Sequence, residues 1–392
     1  MRVTVGVFFG GRSVEHEVSV ISAIQAVNAF DKSKYDVVPV YCAKDDHLYA
    51  GTDIGKIEAY KDIPALLSRS QRVICAPLEK GRLALVKYPP KLLGGAVYAS
   101  IDLAFPIVHG ANVEDGTIQG FFNYMSVPFV GCDVTASAVS MDKYVTKAVL
   151  RFNDIPVLDC VRLSAKPFYS GEDEAVRRVE NAFSYPMIVK PVNLGSSIGI
   201  KKAYSAVELV GAFEYAFQFA GTVIVERAVE NLRELNCAVL GYGDSAEASE
   251  CEEPISGDAI LSYSDKYMSG GKSKGMSASK RKLPADLPPE TRAKVRELAV
   301  RTFTALGCCG VSRIDMLMDA ASGEIWVNEI NPIPGSLSFY LWEPLGVSYA
   351  RLIDKLIELS FTRERENAEF ASSFDTNILE NFSGGMKGPK QR

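Results

Sequence analysis

The sequence predicts an α/β protein that opens on a parallel sheet and continues in α+β units. Three stretches predict it. Residues 2–9 are apolar and β-branched, Gly10-Gly11-Arg12-Ser13 turns the chain into a helix from Glu15 to about Phe30, and Tyr35–Cys42 is a second strand. That is the strand–helix–strand unit of a parallel sheet. A new unit begins near Val157, with a strand to Leu163, a helix near Glu172–Phe183 and a strand over Pro186–Val192. Residues 311–335, VSRIDMLMDAASGEIWVNEINPIPG, read as two strands joined by a short turn from Asp319 to Gly323.

At 392 residues the chain has room for two or three domains. Its 47% hydrophobic and 23% charged residues are those of an ordinary globular protein. A net charge of −5 and the lack of a basic arm argue against nucleic acid as a partner. No run of the ~18 apolar residues that a membrane span needs is present. The apolar N-terminus leads straight into Gly10-Gly11 and reads as a first strand rather than a signal peptide. Eight cysteines without CxxC spacing and only three histidines give no zinc pattern, so reduced thiols in a cytoplasmic protein are expected.

Taken in order, the Gly10-Gly11 turn sits at a helix N-terminus, a position suited to anions. Residues 43–100, broken by prolines and glycines, are an elaboration of the first domain. Ile101–Val108 is the next strand, and His109 follows at its carboxyl end, where α/β sheets usually bind ligands. Glu114-Asp115-Gly116-Thr117 comes next, then a helix over Thr135–Asn153 that carries Lys143 and Lys147. After the strand ending at Val192, the run from Lys190 through Gly195, Ser196, Ser197 and Gly199 combines a lysine, small residues and hydroxyls. Backbone N–H groups can approach phosphate oxygens there, although the GKS/T ending of a Walker loop is missing. A helix over Ser205–Phe219 leads to strands at Thr222–Arg227 and Leu232–Leu240. Carboxylates at such strand ends can receive an adenine amino group or ribose hydroxyls, or stay solvated. Residues 261–282 form a long Gly/Ser/Lys-rich loop of the kind that closes over phosphates as a lid. Pro288–Leu306 is an amphipathic helix, a last helix is predicted from Val347 to Arg363, and residues 367–392 lack periodicity and read as a loose tail.

The 311–335 hairpin concentrates the chemistry. Alternation puts Arg313 and Asp315 on one face of the first strand and Glu329 and Asn331 on one face of the second. If those faces coincide, two carboxylates, a carboxamide and a guanidinium converge. Oxygen ligands of this kind suit Mg²⁺ shared with ATP phosphates. The alternative is a hairpin with solvated charges on its outer face.

These pieces resemble one family. The collinear motifs FGGRSVEHEVS, FPIVHG, EDGTIQG, SMDK, KPVNLGSSIGI, RELN, DKY, SRIDM and NEINPIPGS, spanning about residues 1–360, are similar to those of the D-alanine–D-alanine ligases. The resemblance implies a Rossmann-like N-terminal domain (1–131) and a two-subdomain ATP-grasp fold (132–227 and 228–362, with the lid at 261–282), followed by a flexible tail (363–392). It implies that Glu15 and His109 hold the first D-alanine and that Ser196 and Tyr267 are tied to Glu15. Lys143, Lys190, Ser197 and Lys266 would meet ATP phosphates, with Glu226, Arg227, Val229 and Glu234 around the nucleoside. Asp315, Glu329 and Asn331 would hold two Mg²⁺ ions, with Mn²⁺ as an alternative. Arg313 and the Gly335 N–H would stabilise the transferring groups, and Ser336, Tyr340 and Leu341 would line the second substrate. The product would be D-alanyl-D-alanine for peptidoglycan, made through an acyl phosphate. Relatives are commonly dimers through the first domain.

Two departures bear on the second substrate. The family's His-Ser-Leu-like segment reads Phe339-Tyr340-Leu341 here, and the lid carries Lys272 and Lys274 in a Gly/Ser-rich context. Tyr267 favours an amino-acid acceptor over D-lactate, whose users carry histidine in that lid region. D-serine or another amine is an alternative acceptor, and a catalytically silent nucleotide-binding protein is a reading from a different class.

Overall fold

The structure, a computed structural model, describes residues 2–79, 81–90, 95–255 and 281–371, with Asn377 and Glu380. The first unit is a seven-stranded sheet, built on β1 (Val3–Gly10). After α1 (His16–Ala29), β2 (Tyr35–Cys42) lies parallel to β1. The stretch read as an elaboration extends this same sheet in antiparallel fashion. Its pieces are β3 (Leu48–Ala50), a short helix α2 (Ile63–Arg69), β4 (Gln71–Leu78), β5 (Arg82–Lys87) and β6 (Val97–Ile101). β7 (Leu103–Val108), buried at every position, then returns parallel to β1 on its other side. The strand predicted from Ile101 therefore begins two residues later. Asp102 separates β6 from β7, and its carboxylate accepts the Thr4 N–H at 2.9 Å.

Next come α3 (Thr117–Tyr124), α4 (Val134–Met141) and α5 (Lys143–Phe152). The single helix predicted over Thr135–Asn153 is two. Asp142 leaves helical geometry (φ −98°, ψ 103°) and caps α5 by accepting the N–H groups of Tyr144 and Val145. The break lets the Lys143 N–H reach the Val192 carbonyl at 2.8 Å, which draws Lys143 to the run that follows Pro191.

The second unit is a four-stranded antiparallel sheet with helices on it. It contains β8 (Cys160–Ser164), α6 (Ala165–Ser170), α7 (Glu172–Glu180), β9 (Met187–Pro191), β10 (Lys201–Ala203), α8 (Ala206–Ala216) and β11 (Thr222–Arg227). The third is a five-stranded antiparallel sheet. Its strands are β12 (Leu232–Tyr242), β13 (Ser245–Pro254), β14 (Arg281–Lys282), then after α9 (Pro289–Ala305) β15 (Cys309–Asp319) and β16 (Ile325–Asn331). α10 (Tyr349–Asn367) closes the described chain and runs past Arg363, so the first residues of the predicted tail are helical.

The first and third units share one core. Val5, Phe105 and Ile107 of the first sheet belong to the same buried cluster as Val311, Leu341, Trp342, Leu352 and Leu356. An ion pair reinforces the contact, since Asp354 of α10 accepts Lys34 Nζ at 2.7 Å and the Tyr35 hydroxyl at 2.9 Å. All eight cysteines are free thiols. Among the described residues no helix is long and apolar enough to cross a membrane.

Candidate active site

β15 and β16 pair in the register that brings the hairpin's polar residues onto one face. Arg313 lies opposite Asn331, and Asp315 lies opposite Glu329. The row continues across the sheet, because Asp315 also faces Asn236 on β12, and Asn236 faces Glu252 on β13. Glu329, Asp315, Asn236 and Glu252 thus form a polar line across four strands, with neighbours about 5 Å apart. The reading as solvated outer charges fails on burial. Arg313 is 7% exposed and forks onto Asp315, Nε to Oδ1 at 2.6 Å and Nη2 to Oδ2 at 2.7 Å. Asn331 Nδ2 donates to the same carboxylate at 3.1 Å. Burial works against the Arg313 charge, but Asp315 overcomes it and keeps the guanidinium protonated.

An open cleft of about 520 Å³ lies in front of this face and brings together Glu15, His109, Lys143, Arg313, Glu329, Asn331 and Gly335. Its floor comes from the third unit and one wall from the first. Glu15, just before α1, is buried and accepts a hydrogen bond from the Ser196 hydroxyl. The Ser196 loop follows β9 and closes tightly on Glu15. A Cβ at Gly195 would lie 2.9 Å from Glu15 Oε2, and Ser196, Ser197 and Gly199 all take left-handed φ. His109, at the end of β7, is buried beside Ser22, Nε2 to Oγ at 3.0 Å, and bonded to the Ile333 backbone. Burial pushes its pKa down to about 4, so its ring is neutral at pH 7.

The lysines converge from the other side. Lys143 Nζ pairs with Glu329 at 3.0 Å and donates to the Leu194 carbonyl at 2.7 Å. Lys190 Nζ pairs with Glu226 at 2.6 Å and donates to Asn328 at 2.9 Å. Lys147, one turn along α5 from Lys143, takes the other Glu226 oxygen at 2.7 Å. Burial alone would raise the Glu226 pKa, but Lys190 and Lys147 overcome it and hold the carboxylate ionised.

Several expected contacts take another form. Both Glu226 oxygens are engaged by lysines, which hold the carboxylate within the lysine cluster. The Arg227 guanidinium is exposed and lies 4.8 Å over the Trp326 ring, away from the lysine cluster. Ser336 commits its N–H to Ser22 at 2.9 Å and its hydroxyl to Gln25 at 2.5 Å, both on α1. Leu341 is fully buried in the shared core. Val229 is buried and Glu234 half-buried near the ends of β11 and β12, and Ser197 is half-buried beside Ser196. The Gly10-Gly11 turn is no anion cradle: the Gly10 N–H donates to Ser19 at 2.7 Å and the Gly11 N–H to the Cys42 carbonyl at 2.7 Å. Its glycines are required sterically, since a Cβ on Gly10 would lie 2.3 Å from that carbonyl oxygen. Lys266, Tyr267, Lys272 and Lys274 lie outside the described residues.

Two residues at the site carry no role in the sequence reading. Lys147 could have been found from its i+4 spacing to Lys143. Glu114 is fully enclosed on the cleft wall, where its carboxyl accepts the N–H groups of Gly110 at 2.8 Å and Ile333 at 3.0 Å. Burial, and then the charge of Glu15, pushes its pKa up to about 8. Only its place three residues before Thr117 in the EDGT run marked it.

The residues suit a hard divalent cation. Two carboxylates and one amide oxygen on adjacent strands are the donor set that such an ion takes when phosphates complete its shell. The class follows: two antiparallel α+β units clasping a lysine-lined cleft, docked on a Rossmann-like domain, are the arrangement of an ATP-grasp ligase. Comparisons narrow it. Residues 4–132 match the family described as D-ala D-ala ligase N-terminus, and residues 149–358 match D-ala D-ala ligase C-terminus. A D-alanine–D-alanine ligase from Thermosipho melanesiensis is 36% identical over 379 residues, 96% of this chain and 98% of that protein. The structure of the D-alanine–D-alanine ligase from Coxiella burnetii is similar with a TM-score of 0.78 and 27% identity, covering 94% of this chain and 96% of the other. A D-Ala:D-Ser ligase structure from Enterococcus faecalis is similar with a TM-score of 0.76 and 31% identity, covering 92% and 100%. The chain belongs to the D-alanine–D-alanine ligase family.

Proposed function

We propose that the protein joins two D-alanines at the expense of ATP, giving D-alanyl-D-alanine, ADP and phosphate for the peptidoglycan precursor. The observation that carries this reading is the single cleft in which Glu15 faces the Arg313–Asp315–Glu329–Asn331 cluster. A carboxylate joins an amine only once it is activated, and phosphoryl transfer asks a protein mainly for positioning and positive charge. Glu15, fixed by Ser196, holds the donor's ammonium and sets its carboxylate toward Arg313. Lys143 and Lys190 hold ATP phosphates. Asp315, Glu329 and Asn331 would hold Mg²⁺, which when bound would supply positive charge against the phosphates; the family's use of ATP with a divalent metal supports this, and two ions is our reading. The donor oxygen attacks the γ-phosphorus and ADP leaves. The acceptor's ammonium loses a proton to solvent and the free amine attacks the acyl carbon; Arg313 and the Gly335 N–H receive the oxyanion of the tetrahedral intermediate, and phosphate leaves with the second amine proton. Neutral His109 and protonated Glu114 leave Glu15 as the one anion on that wall, which matches a single ammonium. A homodimer in the cytoplasm completes the proposal.

The test is ADP release with Mg-ATP and D-alanine alone, with mass detection of the product. A D-alanyl-D-alanine mass is expected. ATP consumption that starts only with D-serine would favour the second reading, which the similarity to the Enterococcus faecalis ligase supports. Absence of turnover with every amine would overturn both.

A further inference from the structure

The polar line across the third sheet has two ends. One end, Glu329 with Lys143, lies on the phosphate side. The other, Glu252, lies two strands beyond Asp315, about 10 Å away. Glu252 is 3% exposed, and three groups surround it. Asn236 Nδ2 donates to Oε1 at 2.9 Å, the Tyr340 hydroxyl donates to Oε1 at 3.0 Å, and Arg281 Nη1 pairs with Oε2 at 2.9 Å. The Arg281 guanidinium also lies over the Tyr340 ring, 4.1 Å from its centre. Tyr340 belongs to the turn that starts at Gly335, and both it and Glu252 lie close enough to Arg313 to influence its charge. With ATP on the Lys143 side, as proposed above, the Glu252 side is left for the acceptor to approach the acyl carbon.

We infer that Arg281 holds the carboxylate of the acceptor amino acid and that Glu252 and Tyr340 are positioning residues that present it. The inference rests on the ligase reading above. The hydrogen-bond directions decide between the candidates. Tyr340 has one O–H, and Glu252 takes it, so toward a ligand the phenol oxygen can only accept. It cannot donate to a carboxylate. Ser336, the other hydroxyl suggested for the acceptor, is committed to α1. Arg281 carries five N–H donors in a planar fork, a geometry that can bridge two carboxylates, and its guanidinium rests over the Tyr340 ring. Its charge also answers the departure at Phe339-Tyr340-Leu341: a tyrosine platform with a guanidinium on top replaces a small hydroxyl residue.

The test compares D-alanine with D-alaninamide, which lacks the carboxylate, as acceptors competing for D-alanyl phosphate in the full-length protein, with products resolved by mass. The wild type should strongly prefer D-alanine. Arg281→Met should raise the acceptor KM about 10- to 100-fold, the worth of a charge-assisted hydrogen bond. It should leave the donor and ATP KM within about threefold and bring the two products toward equal amounts. Arg281→Lys should restore part of the preference, and Tyr340→Phe should lose it by about 3- to 10-fold, as a positioning residue acting through Arg281. A preference for D-alanine unchanged in Arg281→Met, or equal losses in all three KM values, overturns the assignment. Should Arg281→Met not fold, Arg281→Lys and Tyr340→Phe decide by the same ratio. A wild type that forms no dipeptide overturns the ligase reading itself, whereas dipeptide formation with intact discrimination in the variants overturns only Arg281.

Discussion

The phosphate end of the cleft is built from side chains on regular elements, whereas the acceptor end is built from a turn and a strand end. At the first, Lys143 and Lys147 sit one helical turn apart on α5, Lys190 lies on β9 and Glu226 on β11, each close to fully buried. At the second, Ser336, Leu337 and Ser338 run through left-handed φ of 51°, 53° and 48°, and Arg281 begins a strand of two residues. The difference matches what each end is proposed to recognise. A triphosphate presents the same charges to every ATP-using enzyme, so rigid elements with surplus cations serve it. The acceptor is what distinguishes one ligase of this kind from another, and irregular backbone is easier to vary without disturbing the sheet.

The largest effect that separates the two ends belongs to Arg313, which stands between them. Arg313→Lys keeps a charge but loses the fork onto Asp315. Turnover should fall about 10³- to 10⁵-fold, the range for a guanidinium that neutralises a transferring phosphoryl group, while ATP affinity by calorimetry stays within about fivefold. A parallel loss of ATP affinity would place Arg313 at the phosphate end rather than at the transfer point.

Glu226→Gln tests whether the phosphate end is an electrostatic unit. It leaves two buried ammonium groups with no anion between them. Removing one partner of a buried ion network costs about 3–5 kcal/mol, read as a lower urea midpoint. Added ATP should recover much of this loss, because its phosphates supply the missing charge. Equal destabilisation with and without ATP would mean that these lysines do not face the nucleotide.

The same contrast governs what the sequence discloses. Strand alternation was enough to place Arg313 with Asp315 and Glu329 with Asn331, because a hairpin's register follows from a short turn. Lys190 before a Gly/Ser loop was legible for a similar local reason. The acceptor end depends on contacts between distant residues. β13 carries Ser249, Glu250 and Glu252 at buried positions, a pattern no hydrophobic alternation announces, and the carboxylates of Glu250 and Glu252 are satisfied by Arg292 and Arg281, about 30 to 40 residues further along the chain. Nor does Ser-Leu-Ser suggest three successive left-handed residues, a conformation that L side chains rarely adopt. The split of the Thr135–Asn153 helix, by contrast, had a local signal in Asp142, a good N-cap inside a helical run.

Glu114 lies between the two ends, on the wall where its carboxyl ties Gly110 of the first unit to Ile333, which follows β16. Its effect is the smallest and has a definite sign. Burial, with the Glu15 charge beside it, pushes its pKa up to about 8 against the opposing pull of the two N–H donors. An unfolded glutamate releases its proton near pH 4.3, so between the two values the folded protein binds the extra proton. This contribution to stability is full below the unfolded value and is lost as pH rises through the folded one. From about pH 6 to about pH 8 the loss is about 2–3 kcal/mol at ~1.4 kcal/mol per pH unit. Glu114→Gln cannot titrate and should flatten that part of the profile, measured by urea unfolding at both pH values. It should also lower stability by about 1 kcal/mol at every pH, because an NH₂ group meets one of the two N–H donors in place of an oxygen. The variant and wild-type curves should therefore converge or cross as pH rises. Parallel curves would mean that the two N–H donors outweigh burial and keep Glu114 ionised. The cleft wall would then carry two anions beside one ammonium, and the donor pocket would hold an excess negative charge.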